Sequence, residues 1–460
     1  MAVVTTVATS ALEFGNRIDA ELYRPSLRKS FAMLFQTGFP VTRLRRVCTI
    51  RSGTTPPDRV DGLTAGPILF KTTDIRNGIV SPTGDYYRIT QDVHRRMSKT
   101  KLENRDVLLN IVGATLEVIG RSAFVARLTD EANITQAMVF LRCQMTDVLP
   151  AYLFAYLNTK FGQDQIARFA RPTGQYNLNL HEVGHICIPV LPAKDQEAVE
   201  KLIISAGELQ DASTACYTAA EECFEAELGL KKLAFQTPVG YAARFSTVAL
   251  SGTFSAGRVD AQCFAPNALF YEDWLRVNAK FDRLGSMLRS TAKGRQQSEN
   301  SDGPTNYCSI KHITGREIVD VSRCTPQPDT PIAGLNDLLL AITGATIGKI
   351  GIVKRYDRLA FSGDLLRLRP CEMIDPHYLL LVLDHKVGQV QFNRWITGST
   401  NGHLAPRDVA RVLVPRLGDK VEAKIAALVR KSLVNRQESE RFLEKAKSCV
   451  EQLIEEAVQP

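Results

Sequence analysis

A chain of 460 residues, 44% hydrophobic and 23% charged, has room for roughly two to four domains, each with a filled core. No run of about 18 apolar residues occurs, which excludes a membrane-spanning helix, and ten cysteines without a CxxC pair suit buried thiols in a reduced compartment better than a disulfide framework. The first residues, MAVVTTVATSALEFGNR, lack the basic start and apolar core of a signal peptide, so a cytoplasmic location is expected.

The net charge of +8 is unevenly spread. Residues 40–190 hold 19 Lys+Arg against 13 Asp+Glu and residues 276–416 hold 20 against 13, whereas residues 193–232 hold 4 against 9. Two basic blocks flanking an acidic segment suit a polyanion gripped at two places.

In chain order, RIDAELYRP (Arg17 to Pro25) reads as a short polar helix closed off by proline, and it returns as RVDAQCFAP, Arg258 to Pro266. VTRLRRVCTIRSGTTPP is an apolar run stopped by a Gly/Pro cluster, and KTTDIRNGIV carries an Asn-Gly turn at Asn77 and Gly78. Arg51, Lys71, Arg76, Arg95, Arg96, Lys99 and Lys101 lie in or beside these loops, and Lys293, Arg295, Lys311, Arg316 and Lys349 occupy the second basic block. As clusters in net-positive domains they are candidates for phosphate contacts, although single basic side chains on loops are commonly just solvated.

DVLLNIVGATLEVIG, Asp106 to Gly120, then recurs as DLLLAITGATIGKIG, Asp337 to Gly351. The pattern predicts two short buried strands joined at a tight turn, with Gly113 and Gly344 supplying backbone angles closed to a side chain, and with Glu117 standing where the second copy has Gly348. A period of about 230 residues means a duplication of whole domains.

LPAYLFAYLNTKFGQDQIARFA and DPHYLLLVLDHKVGQVQFNRWI each read as one helix with proline at its start, Pro150 or Pro376. Each runs into a polar turn, then a short strand ending in proline. The turns carry Gln175, Tyr176, Asn177 and Asn179 in one copy and Ser399, Thr400, Asn401 and His403 in the other, groups that can read base edges, bond phosphate, or simply cap helices and turns.

Each copy closes on a long helix. Leu202, Leu209, Cys216, Cys223 and Leu230 fall seven apart, alternating with Val199, Ala206, Ser213 and Ala220; in the second helix Ile425, Ser432, Ser439, Ala446 and Leu453 alternate with Leu428, Asn435, Phe442 and Cys449. The small residues let two helices approach closely, and the expectation is an antiparallel pair about 50 Å long.

HEVGH, His181 to His185, matches the HExxH pattern of zinc peptidases, but a Gly-containing single turn with RDVAR at the equivalent place, Arg407 to Arg411, argues against a metal site. GATIGKIG fails the phosphate-loop pattern because only three residues separate Gly344 from Gly348 and Ile follows Lys349. There is no GxGxxG, no Asn/Asp-Pro-Pro-aromatic segment and no nuclease carboxylate cluster, so no catalytic centre is expected.

The paired R-[IV]-D-A-x-x-[YF]-x-P and D-[VL]-L-L-x-I-x-G-A-T-[LI]-x-x-I-G motifs, followed by P-x-Y-L, a strand ending in proline and a long helix, resemble the specificity (S) subunit of type I restriction-modification systems, over residues 15–457. One departure is the P-x-x-x-Q opening of the long helix, Pro192 to Gln196, where the second copy has Glu422. The resemblance implies an α+β fold with two similar α/β target recognition domains, a pseudo-two-fold internal repeat, and long helices paired as an antiparallel coiled coil. The expected layout is a leading segment at 1–38, recognition domains at 39–191 and 258–416, and long helices within 192–257 and 417–460.

It further implies a non-catalytic protein that reads an asymmetric, bipartite, gapped site in double-stranded DNA. By the same resemblance it docks two adenine-N6 methyltransferase (M) subunits and, where restriction occurs, restriction (R) subunits. S-adenosylmethionine would serve the methyltransferases and ATP with Mg2+ the restriction partner, none of them bound by this chain. Arg17 to Asp106 spans 89 residues and Arg258 to Asp337 spans 79, so the first portion of each block differs most, which fits different half-sites. Service in a methylation-based phage-defence system without a type I nuclease, and a coiled-coil scaffold that binds no DNA, are the alternatives.

Overall fold

The computed structural model describes residues 6–7, 17–76, 78–80, 84, 86–144, 147–230, 233, 240–242, 260–398 and 401–458. Asn77, Arg258, Ser399 and Thr400 lie outside these. The chain forms two compact units, residues 1–214 with 434–460, and residues 215–433. Each unit takes in part of both long helices, whereas the sequence layout set those helices apart from the recognition domains.

The first unit is built on a five-stranded sheet in the order Cys48–Ser52, Met138–Cys143, Val107–Asn110, Ser122–Phe124, Gly78–Ile79. Val107, Leu108 and Leu109 are wholly buried, as a strand covered on both faces requires. One face packs on the helix Pro150–Asn158, and the other covers a smaller core in which Ile68–Phe70 pairs in parallel with Ala132–Ile134.

The second unit repeats the order in a six-stranded sheet: Leu288–Lys293, Leu365–Pro370, Leu338–Ala341, Ile350–Ile352, Glu317–Ile318, with Ile313–Thr314 added at the edge. A second sheet of four strands again contains a parallel pair, Thr305–Cys308 with Leu359–Phe361. The duplication seen in the sequence is therefore a duplication of topology.

Polar anchors recur as well. Gln165 donates to the Cys187 carbonyl at 2.9 Å and accepts from its N–H at 2.7 Å; Gln391 does the same to Leu413 at 3.0 and 2.7 Å. Tyr152 donates to the Pro189 carbonyl and Tyr378 to that of Pro415. The buried guanidinium of Arg168 donates to the Leu22 carbonyl and that of Arg394 to the Cys263 carbonyl, tying each leading segment to its own unit.

Several sequence expectations shift. Pro25 and Pro266 open helices, Pro25–Met33 and Pro266–Asn278, because proline's missing N–H costs nothing at a first helical position; the polar stretches before them are short 3-10 turns. Each single helix is in fact two, Pro150–Asn158 with Lys160–Phe169, and Pro376–Asp384 with Lys386–Trp395. Extended Thr159 or His385 caps the second helix at the break, and a Cβ on Gly162 or Gly388 would lie within 2.5 Å of a backbone carbonyl of the first.

The Gly-Ala-Thr stretches also realign. Gly344 has φ +79°, as expected, but Gly113 has no positive φ; a Cβ there is blocked by Val118 and Ile119. Gly120 N–H donates to the Asn110 carbonyl as Gly348 N–H does to that of Ala341, both have positive φ, and their carbonyls accept from the amides of Gln163 and Gln389. Gly120 is thus the counterpart of Gly348, so the first copy carries a loop three residues longer, and Glu117 belongs to that insertion.

The long helices are Ala193–Glu227 and Asp419–Val458. In the first unit Val199, Ile203 and Ala206 share a core with Ala446, Val450 and Ile454; in the second, Tyr217, Ala220 and Phe224 share one with Ile425, Ala426 and Val429. The start of one helix therefore packs with the end of the other, which is antiparallel pairing. Ala206, Ser213, Ala220, Ser432, Ser439 and Ala446 are buried as expected, and Ser439 Oγ donates to the Ala206 carbonyl at 2.7 Å. The alternate positions move by one residue: Ile203, Tyr217 and Phe224 are buried and Leu202, Cys216 and Cys223 are not, because each helix must face its domain core as well as its partner.

Gln196 and Glu422 show how the helix openings differ. Gln196 accepts from Leu149 N–H and donates to the Asp147 and Leu191 carbonyls. Glu422 instead grips Arg416 through two bonds and accepts from Leu417 N–H. Arg416 stands where the first copy has Val190, directly after the strand's proline, so the acid accompanies a base that the other copy lacks.

Candidate nucleic-acid interface

In the first unit the segment read as a polar turn is a β-hairpin, Arg171–Thr173 with Gln175–Asn177, turning at Gly174 with φ +78°. Its second strand pairs with Val112–Gly113, setting Tyr176 opposite Gly113 and Asn177 opposite Val112. The structure thereby brings the Gly-Ala-Thr loop and the polar hairpin side by side, although some 60 residues separate them in sequence. Ala114, Thr115, Leu116, Glu117, Gln175 and Asn177 are exposed, and Tyr176 is half-buried.

The second unit does the same by a shorter route. His403 bridges to both Thr343 and Thr397, and Gly344 N–H donates to the Gly402 carbonyl at 3.1 Å. Thr343 is the counterpart of Val112, so His403 is the counterpart of Asn177. Ala345, Thr346 and Asn401 are exposed here, and His403 is half-buried. One surface is built twice with different side chains on it.

The basic candidates separate by partner. Arg95 pairs with Asp92, Arg96 with Asp58, Lys101 with Glu131 at 2.5 Å and Lys311 with Glu299 at 3.0 Å, all at exposed positions where an ion pair contributes little and exchanges readily for a phosphate. Lys71 lies 3.9 Å over the Tyr87 ring, Arg295 donates to the Pro328 carbonyl and Lys349 to that of Ile310. Arg51, Arg76, Lys99 and Lys293 are exposed and have no ion-pair partner among the described residues. Arg316 differs from all of these: its guanidinium is 2.5 Å from Asp384 and 3.5 Å from the centre of the Tyr217 ring, and Tyr217 bonds the same carboxylate at 3.0 Å. That enclosed cluster fixes Arg316 to the long helix, and its charge is committed.

Sequence reasoning passed over Arg43, Arg45 and Arg46, which are exposed around the short helix Leu44–Val47 and without an ion-pair partner among the described residues. Three arginines in four positions, Arg-Leu-Arg-Arg, were the available signal.

HEVGH forms the six-residue helix Leu180–His185. Glu182, fully buried, closes a capping box with Asn179 and holds Arg17 at 2.7 Å and Arg171 at 2.6 Å, so its carboxylate pins the leading segment and the hairpin to this helix. His185 is shifted toward the neutral form, first by burial and also by nearby Arg45 and Arg43, with a bond to the His181 carbonyl opposing. Among the described residues no group of three or more His, Cys, Asp or Glu side chains is placed to hold a metal ion, and no helix is long and apolar enough to cross a membrane.

No family model and no curated protein matches the chain. Among solved structures, the S subunit of a type I restriction-modification system from M. genitalium is 11% identical, covering 92% of this chain and 97% of that chain with a TM-score of 0.38. The HsdS subunit from Thermoanaerobacter tengcongensis is 14% identical, covering 91% and 96% with a TM-score of 0.29. A structure describing complex assembly and conformational transition of the type I R-M system is also 14% identical, covering 92% and 97% with a TM-score of 0.29. Along nine-tenths of its length the chain is similar to S subunits of type I restriction-modification systems.

Proposed function

We propose that the chain is the sequence-specific DNA-recognition subunit of a type I restriction-modification complex, reading a bipartite, gapped target with one half-site per unit. The observation that supports this most is the twice-built surface, an exposed Gly-Ala-Thr loop beside a polar hairpin, carrying Gln175, Tyr176 and Asn177 in one unit and Asn401, Gly402 and His403 in the other. Equal scaffolds with unequal side chains read unequal half-sites, so the target is asymmetric.

Arg51, Arg76, Lys99 and Lys293, with Arg43, Arg45 and Arg46, supply phosphate contacts that position the duplex. Arg95, Arg96, Lys101 and Lys311 join them by exchanging an exposed carboxylate for phosphate, and Arg316 serves the fold. The chain itself catalyses nothing. Adenine methyltransferase subunits dock on it, and the two recognition units hold the duplex while an adenine in each half-site is flipped into those partners. S-adenosylmethionine, ATP and Mg2+ belong to the partner subunits.

The test is selection of duplexes from a random pool by the purified complex with its methyltransferase partner. Enrichment of two short motifs at fixed spacing supports the reading, and enrichment of a single contiguous motif, or of none, refutes it.

A further inference from the structure

Cys48 and Cys143 face each other across neighbouring antiparallel strands, with their sulfurs 3.6 Å apart. Gln144 N–H donates to the Val47 carbonyl and Gly53 N–H to that of Met138, so the 47/144 and 53/138 pairs are the hydrogen-bonded ones. Counting along the ladder, the 48/143 pair falls on the alternate, non-bonded type, where Cα atoms are about 4.5 Å apart and side chains are closest. That spacing lies inside the roughly 4.4–6.8 Å range that a disulfide spans without moving backbone.

Both residues also lie near the surface. Cys143 is half-buried. Cys48, though buried, lines an open cavity of about 260 Å3 shared with Arg45, Ile50, His181 and His185. Cys143 is the less buried of the two and is therefore the sulfur placed to meet a small oxidant first, while the bond to Cys143 and burial raise the Cys48 thiol above its ordinary value.

We propose that Cys48 and Cys143 are a redox-active dithiol that closes to a cross-strand disulfide under a peroxide, locking the edge strand Cys48–Ser52 to Met138–Cys143. In the first step the Cys143 sulfur attacks one peroxide oxygen and the O–O bond breaks. The departing hydroxide takes the thiol proton as water and leaves a sulfenic acid. In the second step the Cys48 sulfur displaces hydroxide from that sulfur, the S–O bond breaks, the S–S bond forms and a second water leaves with the Cys48 proton. Two thiols and one hydrogen peroxide become one disulfide and two waters, with two electrons passing from sulfur to oxygen.

The test treats the full chain with hydrogen peroxide, blocks remaining thiols by alkylation and maps peptides without reduction. A peptide pair joined through Cys48 and Cys143, reopened by dithiothreitol and absent from Cys143→Ser, is the expected result. The oxidised chain should melt roughly 5 °C or more above the reduced one, because the link closes a long loop. Should Cys143→Ser fold poorly, a titration of the unaltered chain against glutathione and its disulfide gives the same reading, with both thiols lost together in one two-electron step. Free alkylation of both cysteines after peroxide treatment that oxidises glutathione, or linkage of either to another cysteine, overturns the proposal. Neither outcome bears on DNA recognition.

Discussion

Arg142 reaches to the start of the neighbouring strand to grip Asp106 through two bonds of 2.8 Å, while the same carboxylate accepts the Glu103 N–H at 2.8 Å. Arg369 holds Asp337 in the second unit at 2.8 and 2.7 Å, with Gly334 N–H at 2.9 Å. The aspartate that begins each repeated motif is therefore a strand anchor. Burial pushes the Asp106 carboxyl above its ordinary value, against the opposing pull of Arg142. Arg142→Met removes that pull and should destabilise the protein by roughly 3–5 kcal/mol near neutral pH, measured by urea unfolding. A carboxyl raised in the folded state stabilises the fold at low pH and loses that effect as pH rises through its folded value. The deficit of the variant should therefore shrink toward pH 4.

Gln165 and Gln391 each satisfy both backbone groups of one buried residue. Gln391→Leu strands the buried N–H and carbonyl of Leu413, with an expected loss of roughly 2–4 kcal/mol. Gln165→Leu strands only the Cys187 N–H, because the Tyr156 hydroxyl still donates to the Cys187 carbonyl at 2.7 Å, with an expected loss of roughly 1–3 kcal/mol. Urea unfolding should show the larger loss for Gln391→Leu, and an equal or larger loss for Gln165→Leu would contradict that ranking. A neutral effect at one would show that its strand is anchored by other means.

Asp375 caps the helix Pro376–Asp384. Burial opposes its ionisation, but the side-chain and backbone bonds from His377, with Arg430 at 2.7 Å, outweigh that and hold the carboxyl at about 2. A lowered carboxyl stabilises the fold above its unfolded value near 4 and loses that effect as pH falls through about 2. Asp375→Asn, which keeps the cap, should cost roughly 2 kcal/mol at pH 7, and chemical denaturation should show the gap constant down to about pH 5 and gone near pH 2.

Arg51→Ala combined with Lys99→Ala should weaken binding to all duplexes alike and lower the slope of log affinity against log salt by roughly 2. Arg316→Ala should instead lower the melting temperature and leave the salt slope unchanged. An unchanged slope in the double variant would remove both residues from the contact set.

Much of this was legible in the sequence where chemistry is local. The repeated aspartate, the Gly-Ala-Thr turn and the polar stretches announced the duplication, and small residues every seven positions marked the helix seam. What escaped depends on tertiary contacts. The three-residue insertion hides because Gly120 and Gly351 occupy the same column of the two motifs, and only the matching bonds at Gly120 and Gly348 expose it. Thr159 and His385 break helices because the second helix folds back onto the first, which periodicity cannot report. Arg316 reads as one more loop cation until Asp384, 68 residues later, is found beneath it. Asn177 and His403 read in the sequence as polar turn residues, but their equivalence follows only from pairing with Val112 and Thr343.

The central claim is that the two units read the two halves of one DNA target. Its most direct test is co-expression of this chain with an adenine methyltransferase partner in an unmethylated host, followed by single-molecule sequencing of N6-methyladenine across the genome. The account predicts methylation at one asymmetric motif in two parts, separated by a fixed unread spacer. No new methylation, with both proteins soluble and associated, would contradict it.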